Sequence, residues 1–446
     1  MTLTKLRLKA MVRARRLLER LESSRIARAG ATVPGGYQHV QQPVVPTSRL
    51  NPSSSQEPLR SPGMHDPAGR GTARATRVYL HIGPPKTGTT YLQDALRSWH
   101  KELRATGVLF PGIQGHDHFA AALDLRGVDR FGRGDVRGQT RARVAGAWAR
   151  LVRATTGFDG TVVISHEIFD NANDEQVAAA MRDLADTDLH VVVTARDPGR
   201  QMVSTWQQHV KQGSSRPFRG GARAQPATAL PPIQRLPDLL ERWGSSLPAD
   251  HLHLVTVPPP GGDPALLWTR FCSVVGIDPE RFSPPLPPAN TSLGVAEIEL
   301  LRRVNAELGG RLTYPGYGRF VTSLYANGAL AESSQSPPPT LPERLRPLAD
   351  QIAASWIERI EPRGYHVCGD LDDLRPRHRQ GVAPDAAADS DVAQAAVRAT
   401  AQLLLDLSRQ SRTRAIRRLG REAATDWLGY LARRVGRSGQ DASQPD

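Results

Sequence analysis

The chain has 446 residues, of which 39% are hydrophobic, and its net charge is +14. This composition is sufficient for a packed core, and no stretch approaches the ~20 consecutive apolar residues that a transmembrane helix needs. Cys272 and Cys368 are the only cysteines, which excludes a disulfide framework and a thiolate metal site. We therefore expect a cytoplasmic protein with two reduced thiols.

The basic charge is almost entirely arginine. Only five lysines are present, namely Lys5, Lys9, Lys86, Lys101 and Lys211. Together with abundant Ala, Gly and Pro, this is typical of GC-rich coding rather than of a nucleic-acid-binding surface, so no nucleic-acid partner is expected. The same bias makes a lysine inside a Gly- and Thr-rich loop informative.

Composition divides the chain into four parts. Residues 1–30 predict a basic amphipathic helix whose expected role is either peripheral contact with an anionic membrane surface or pairing with a partner helix, and they lack the apolar region of a signal peptide. Residues 31–75 are rich in Pro, Ser and Gly and predict a disordered linker. Residues 76–380 form the predicted catalytic domain, with a mobile lid at 212–232, and residues 381–446 predict a helical C-terminal extension with a disordered end.

Strands and helices alternate along the predicted domain. Short, β-branched apolar runs predict strands at 78–82, 108–110, 161–165, 189–195 and 251–257. Helices are predicted at 89–106, 141–155, 264–275, 294–308, 342–360 and 391–434. Strands buried on both faces and separated by helices favour an α/β fold, a three-layer sandwich around a central parallel sheet.

The segment 81–90, HIGPPKTGTT, carries the strongest signal for function. It follows a predicted strand and precedes a predicted helix, where backbone N–H groups and the positive end of the helix dipole create an anion site. Gly88 allows a close backbone approach, the threonine hydroxyls can donate to phosphate oxygens, and Lys86 adds a cation.

The loop differs from the nucleoside-triphosphate P-loop, G-x-x-x-x-G-K-[ST]. Gly83 and Gly88 have the spacing of its two glycines, but Thr89 occupies the position of its lysine. A magnesium-dependent small-molecule kinase on a related fold is therefore disfavoured and stays an alternative.

A second motif follows the strand at 189–195. Arg196, Asp197 and Pro198 come directly after it, and Ser204 lies eight residues beyond Arg196. Asp197 and Pro198 alone are also typical of an ordinary helix start, with Asp197 as the N-cap.

Together the two motifs resemble the PAPS-dependent sulfotransferase family, which uses 3′-phosphoadenosine 5′-phosphosulfate (PAPS). The segments 290–292, NTS, and 364–371, GYHVCGDL, resemble its bacterial, carbohydrate-type branch. The resemblance covers roughly residues 77–375 and implies a P-loop-like fold, PAPS as co-substrate, no metal, and a small-molecule, carbohydrate or lipid-linked glycan acceptor. It also implies that the 3′-phosphate binds Arg196 and Ser204. The implied phosphosulfate site comprises Pro85, Lys86, Thr87, Gly88, Thr89 and Thr90.

Sulfuryl transfer needs a cation at the leaving phosphate and a base for the acceptor proton. Lys86 is the predicted cation. Glu167, just past a buried strand, and His118, after the second strand, are both candidate bases. His116 and His118 have a spacing that metal ligands can use, but no third ligand is in clear reach, so no metal site is predicted. A non-catalytic, membrane-associated scaffold is the remaining alternative.

Overall fold

The computed structural model describes residues 75–112, 117–129, 139–218, 236–263, 265–284, 292–313 and 315–411. The predictions for residues 1–30, for nearly all of the 31–75 linker and for the chain end lie outside these residues. So does most of the predicted lid at 212–232.

A single parallel sheet forms the centre of the described part of the chain. Its six strands lie side by side in the order β2-β3-β1-β4-β5-β6, and every neighbouring pair is parallel. Residues of β1, β3, β4 and β5 are almost all buried, as expected for strands covered on both faces. The strands are β1 (Arg77–His81), β2 (Val108–Leu109), β3 (Thr161–Ser165), β4 (Asp188–Ala195), β5 (Leu252–Thr256) and β6 (His366–Cys368).

Helices connect the strands. Before β4 lie α1 (Thr89–Ser98), α2 (His100–Ala105), α3 (Asp117–Leu125), α4 (Gln139–Val144), α5 (Ala147–Thr155) and α6 (Asp174–Asp183). After β4 come α7 (Pro198–Lys211), α8 (Leu236–Gly244), α9 (Leu266–Val275), α10 (Val295–Leu308), α11 (Arg346–Ile360) and a helix over residues 389–411, α12. Short 3-10 helices cover Glu167–Asn171, Ala249–His251, Glu343–Leu345, Glu361–Arg363 and Leu371–Leu374, and a π-helix covers Gly318–Leu330.

The alternation of strand side chains divides the core between the two faces of the sheet. Val78 and Leu80 of β1 pack with residues of α3, α5–α8 and α10–α12 on one face. Tyr79 of β1 and Val163 of β3 pack with α1, α2 and α9 on the other. Helices therefore cover both faces, which confirms the predicted α/β class with a parallel sheet and is consistent with three layers.

Two predicted helices are interrupted in the structure. The helix predicted at 89–106 is divided at Trp99, whose φ of −105° and ψ of 13° leave the helical region. The helix predicted at 141–155 is divided at Gly146, whose φ of 73° is left-handed. The structure also contains α6, which begins at a reciprocal capping box between Asn173 and Gln176 that the sequence analysis did not use.

The C-terminal helix belongs to the main core at its start. Val392, Ala395 and Ala399 of α12 are buried in the larger of the two clusters. The remainder of the helix predicted to Arg434 lies outside the described residues. None of the helices that the structure describes is long and apolar enough to cross a bilayer.

The connections after β1 and β4 create a crevice beyond the carboxyl ends of these two central strands. β1 and β4 are neighbours, yet α1 after β1 packs on one face while α7 after β4 packs on the other. In open α/β sheets, ligands bind where adjacent connections diverge in this way, beyond the carboxyl ends of the strands. The 82–88 loop and residues 196–198 both lie at this point.

Candidate functional site

The loop between β1 and α1 packs too tightly for larger side chains at its two inner glycines. A Cβ on Gly83 would lie 2.0 Å from Thr194 Oγ1 of β4, and a Cβ on Gly88 would lie 2.3 Å from Leu267 Cδ2. Gly88 also has a left-handed φ of 92°. Both positions therefore require glycine so that the loop can pass β4 and enter α1 against α9.

Lys86 has the only left-handed backbone among the non-glycine residues that the structure describes, with φ of 71°. This conformation costs about 1–2 kcal/mol for an L-residue and persists where neighbouring contacts impose it, most often at functional sites. Its location at the tip of the predicted anion loop fits that pattern.

A buried chain of polar groups holds the loop on the sheet. One assignment of protons satisfies all its members: Ser165 Oγ donates to His81 Nδ1 over 2.8 Å, and His81 Nε2 donates to Thr194 Oγ1 over 3.2 Å. Thr194 then donates to Thr87 Oγ1 over 2.6 Å, and Thr87 donates to Pro84 O over 2.7 Å. Burial, aided by the nearby charge of His166, lowers the pKa of His81 to about 3, so the ring stays neutral.

The second motif contacts the loop directly. Arg196 Nη1 donates to Lys86 O over 3.3 Å and to Ser204 Oγ over 3.2 Å, and its Nε is buried with no hydrogen-bond partner. Asp197 caps α7 and pairs with Arg200, and within the described residues no carboxylate forms an ion pair with Arg196. Burial first, and then the charge of Arg200, lower the pKa of Arg196 to about 10, so the guanidinium is charged at neutral pH and available to an anion.

One face of α7 carries further polar groups toward the loop. Gln201, Ser204, Gln208 and Lys211 are spaced at i, i+3, i+7 and i+10, which places them on one side of a helix. Gln201 Nε2 donates to Pro85 O over 3.5 Å, and Gln208 Oε1 accepts from Lys86 Nζ over 3.4 Å. The positions of Gln201, Gln208 and Lys211 at the loop were not predicted, although their spacing is visible in the sequence.

Positive charge is concentrated around Lys86. The surrounding protein and the charge of Arg196 lower the pKa of Lys86, while Glu167 opposes this shift. Burial and the charge of Lys86 lower the pKa of Lys211 to about 8. Lys86 as a residue is exposed, so water screens part of the repulsion between these cations. Mutual repulsion of these cations favours binding of an anion between them.

Glu167 begins the 3-10 helix that follows β3. Its side chain is 31% exposed, and its carboxylate lies close enough to Lys86 to influence the lysine's pKa. Among the described residues its one ion-pair contact is with His166 Nδ1 at 3.7 Å. That nitrogen accepts the Ile168 N–H, so it carries no proton for the carboxylate. The Glu167 carboxylate is therefore not neutralised by a described arginine.

His118 is held by the backbone on both sides of its ring. Nδ1 accepts the Ser165 N–H over 3.0 Å, and Nε2 forms a short hydrogen bond with Pro111 O. Burial lowers the pKa of His118 to about 4, although the bond to Pro111 opposes the shift. The ring is therefore neutral and has no nitrogen left for a substrate proton.

Some of the other residues singled out in the sequence belong to the part of the chain that the structure describes, and others do not. Thr89 is buried with its hydroxyl lacking a hydrogen-bond partner, and Thr90 is exposed. Ser292 donates to Gln207 Oε1 of α7 over 3.0 Å. His116, Asn290 and Thr291 lie outside the described residues.

A small recess of about 30 Å³ lies beside the loop, which is space for about one or two water molecules. Pro84 and Thr87 line it from the loop, and Asp170 and Asn171 line it from the 3-10 helix that begins at Glu167. The rest of the wall is formed by Ala195, Arg196, Gln201, Leu236, Leu239, Arg242 and Trp356.

Comparison with protein-family models gives no match, and comparison with curated proteins gives no significant one. Assignment of a function therefore rests on the geometry. The arrangement combines two helix starts, α1 and α7, with two cations at the ends of β1 and β4, which suits a ligand that carries two anionic groups.

We expect Thr194→Val to destabilise the protein, because it removes the central hydroxyl of the buried chain and leaves the buried His81 Nε2–H without an acceptor. The loss should be about 1–3 kcal/mol in the free energy of unfolding, measured by urea denaturation. Thr269→Val, at an exposed position of α9, is the control. Equal stability of the two variants would show that the chain does not support the loop.

Proposed function

We propose that the protein is a PAPS-dependent sulfotransferase with a P-loop-like fold. The observation that carries the proposal is the position of Arg196, whose Nη1 is 3.3 Å from Lys86 O and 3.2 Å from Ser204 Oγ. The two motifs that resemble the family are 110 residues apart in the chain and meet at one crevice. The order of strands and the position of the loop after β1 support the P-loop-like fold.

Two separate anion sites favour PAPS over a nucleoside triphosphate. PAPS carries a phosphosulfate at its 5′ end and a phosphate on its 3′ hydroxyl, so its binding requires cationic groups in two places. We assign the 5′ end to the loop 85–90 and the 3′-phosphate to Arg196 and Ser204. ATP would occupy the first site and leave Arg196 unused, and Thr89 replaces the lysine that ATP-binding loops carry there.

The transfer step follows from these positions. The sulfur–oxygen bond to the 5′-phosphate breaks as a new bond forms from the acceptor oxygen to sulfur, and negative charge develops on the leaving phosphate. Lys86 stabilises this charge, in the way that preorganised donors stabilise an oxyanion. The acceptor hydroxyl gives its proton to Glu167 as the general base.

Glu167 is the better candidate base of the two. Its carboxylate is partly exposed, near Lys86 and free of a described arginine partner. His118 has both nitrogens engaged by the backbone. We assign His118 the role of fixing the ends of β2 and β3.

The proposed acceptor, a hydroxylated molecule such as a carbohydrate or a lipid-linked glycan, follows from the family resemblance alone. The recess beside the loop is too small to hold such a molecule.

Lys86→Ala is expected to lower the rate of sulfuryl transfer about 10²–10³-fold, because the leaving phosphate loses its cation. The measurement is transfer of radiolabelled sulfate from PAPS to a panel of free and lipid-linked sugars. Lys101→Ala, an exposed lysine of α2, is the control. Transfer by the Lys86 variant at the rate of the control would refute the assignment.

Glu167→Gln should lower the turnover rate about 10²–10⁴-fold while leaving nucleotide affinity unchanged, because a general base acts in the chemical step. Turnover and nucleotide binding are measured on the same preparation. Glu175→Gln, exposed on α6, provides the matched control. Full turnover by the Glu167 variant would remove it from the mechanism.

A further inference from the structure

The end of the sheet opposite to the phosphate loop carries a cluster of histidines and an aspartate. Asp188 is the first residue of β4, His190 is the third, and His251 lies just before β5. Within the described residues, one ligand atom from each of these three side chains lies within 4.8 Å of the other two. His253 of β5 and His366 of β6 extend the cluster along the sheet.

Strand register explains why these side chains meet. Residues 188 and 190 project to the same face of β4, since strand side chains alternate. Arg77 pairs in register with Asp188, and Tyr79 pairs with His190. The His190 ring stacks on Tyr79 at 4.9 Å and on His251 at 4.0 Å between ring centres. The His190 ring is thus held by the sheet, and the His251 ring by the 3-10 helix that precedes β5.

Hydrogen bonds between the rings leave one nitrogen of His190 for another ligand. His190 Nδ1 lies 2.9 Å from His253 Nε2, and His253 Nδ1 lies 2.8 Å from His366 Nδ1. Donation from His190 through His253 to His366 satisfies both bonds with neutral rings, as does donation in the reverse direction; the first of these is the form that can bind a cation. His190 Nε2 then carries a lone pair; it is buried without a hydrogen-bond partner, 3.3 Å from Asp188 Oδ1.

His251 and Asp188 each have one polar atom held by a neighbouring group and a second that is not. His251 Nδ1 lies 2.9 Å from Leu189 O, so it donates its proton there and leaves Nε2 with a lone pair. Asp188 Oδ2 accepts from Arg77 Nε over 2.7 Å, which leaves Oδ1 toward the rings. In each case a neighbour holds one polar atom and orients the second, which is the usual arrangement around metal ligands.

We propose that Asp188, His190 and His251 bind a divalent transition metal ion, with zinc the best match to the ligands. Two imidazoles and a carboxylate, with water as a fourth ligand, are a common zinc set. Ligand atoms of a tetrahedral zinc site are about 3.3 Å apart, since bonds are about 2.0–2.1 Å long. The rings of His190 and His251 are stacked 4.0 Å apart at 18°, so metal binding requires one ring to turn until both ring planes contain the ion. Arg77 offsets the aspartate charge, which disfavours the oxygen-seeking ions Mg²⁺ and Ca²⁺.

Cobalt titration of the full-length protein, first stripped of metal with a chelator, tests the proposal. Co²⁺ should bind with the visible absorption of a tetrahedral site, and Zn²⁺ should displace it. Asp188→Asn and His251→Gln should each weaken binding at least about tenfold. His378→Gln is the control, because His378 pairs with Asp350 in a separate contact and should bind as the wild type does.

The result that would overturn the proposal is an absence of the tetrahedral band with millimolar Co²⁺, or equal affinity in the three variants. Either outcome would make the cluster a hydrogen-bonded support for the end of the sheet. Circular dichroism of each variant verifies its fold, and His251→Gln, at a partly exposed position, is expected to disturb the fold least. Nucleotide binding reports on the other end of the sheet, so failure here is distinguishable from failure of the proposed function.

Discussion

The contact between Arg196 and the Lys86 carbonyl is the interaction on which the site depends. It joins the segment after β4 to the loop after β1, 110 residues away. An arginine that forms an ion pair with none of the described carboxylates, beside a lysine and two helix starts, is unfavourable in an isolated protein because the positive charges repel each other. A bound anion would offset this repulsion, and so the contact is better explained as part of a binding site than as a stabilising element.

Buried contacts beneath the loop stabilise its strained backbone. Lys86 keeps a left-handed backbone because Thr87 and Gly88 on its carboxyl side are fixed by Thr194 and by the packing of Leu267. His81, Ser165 and Thr194 come from three adjacent strands, and the buried chain they form locks the loop to the sheet. Rigid support of this kind is what a transfer enzyme needs, since catalysis of group transfer depends on positioning.

The sequence predicted local features better than contacts between distant segments. The bounds of β3 were predicted as they are observed, because a β-branched run between polar residues has one interpretation. The break at Trp99 was not predicted, since nothing in the local sequence forbids a continuous helix there. His118 became a candidate base from its position after β2, and its bonds to Pro111 and Ser165 depend on tertiary structure. The cluster of Asp188, His190 and His251 was missed because His251 is distant in the chain from β4, and only the tertiary structure brings it to the other two residues. No metal was expected because the family resemblance implies none and His116 and His118 have no third ligand in clear reach.

The central claim is that the crevice binds a nucleotide with phosphates at both its 5′ and 3′ positions. The most direct measurement is calorimetric titration with adenosine 3′,5′-bisphosphate, adenosine 5′-monophosphate and magnesium ATP, on the wild type and on Arg196→Met. The wild type should bind the bisphosphate about 10–100-fold more tightly than the monophosphate, since a hydrogen bond to a charged group contributes about 1.5–3 kcal/mol, and Arg196→Met should lose that preference. Absence of bisphosphate binding at millimolar concentration, or tighter binding of magnesium ATP, would contradict the account.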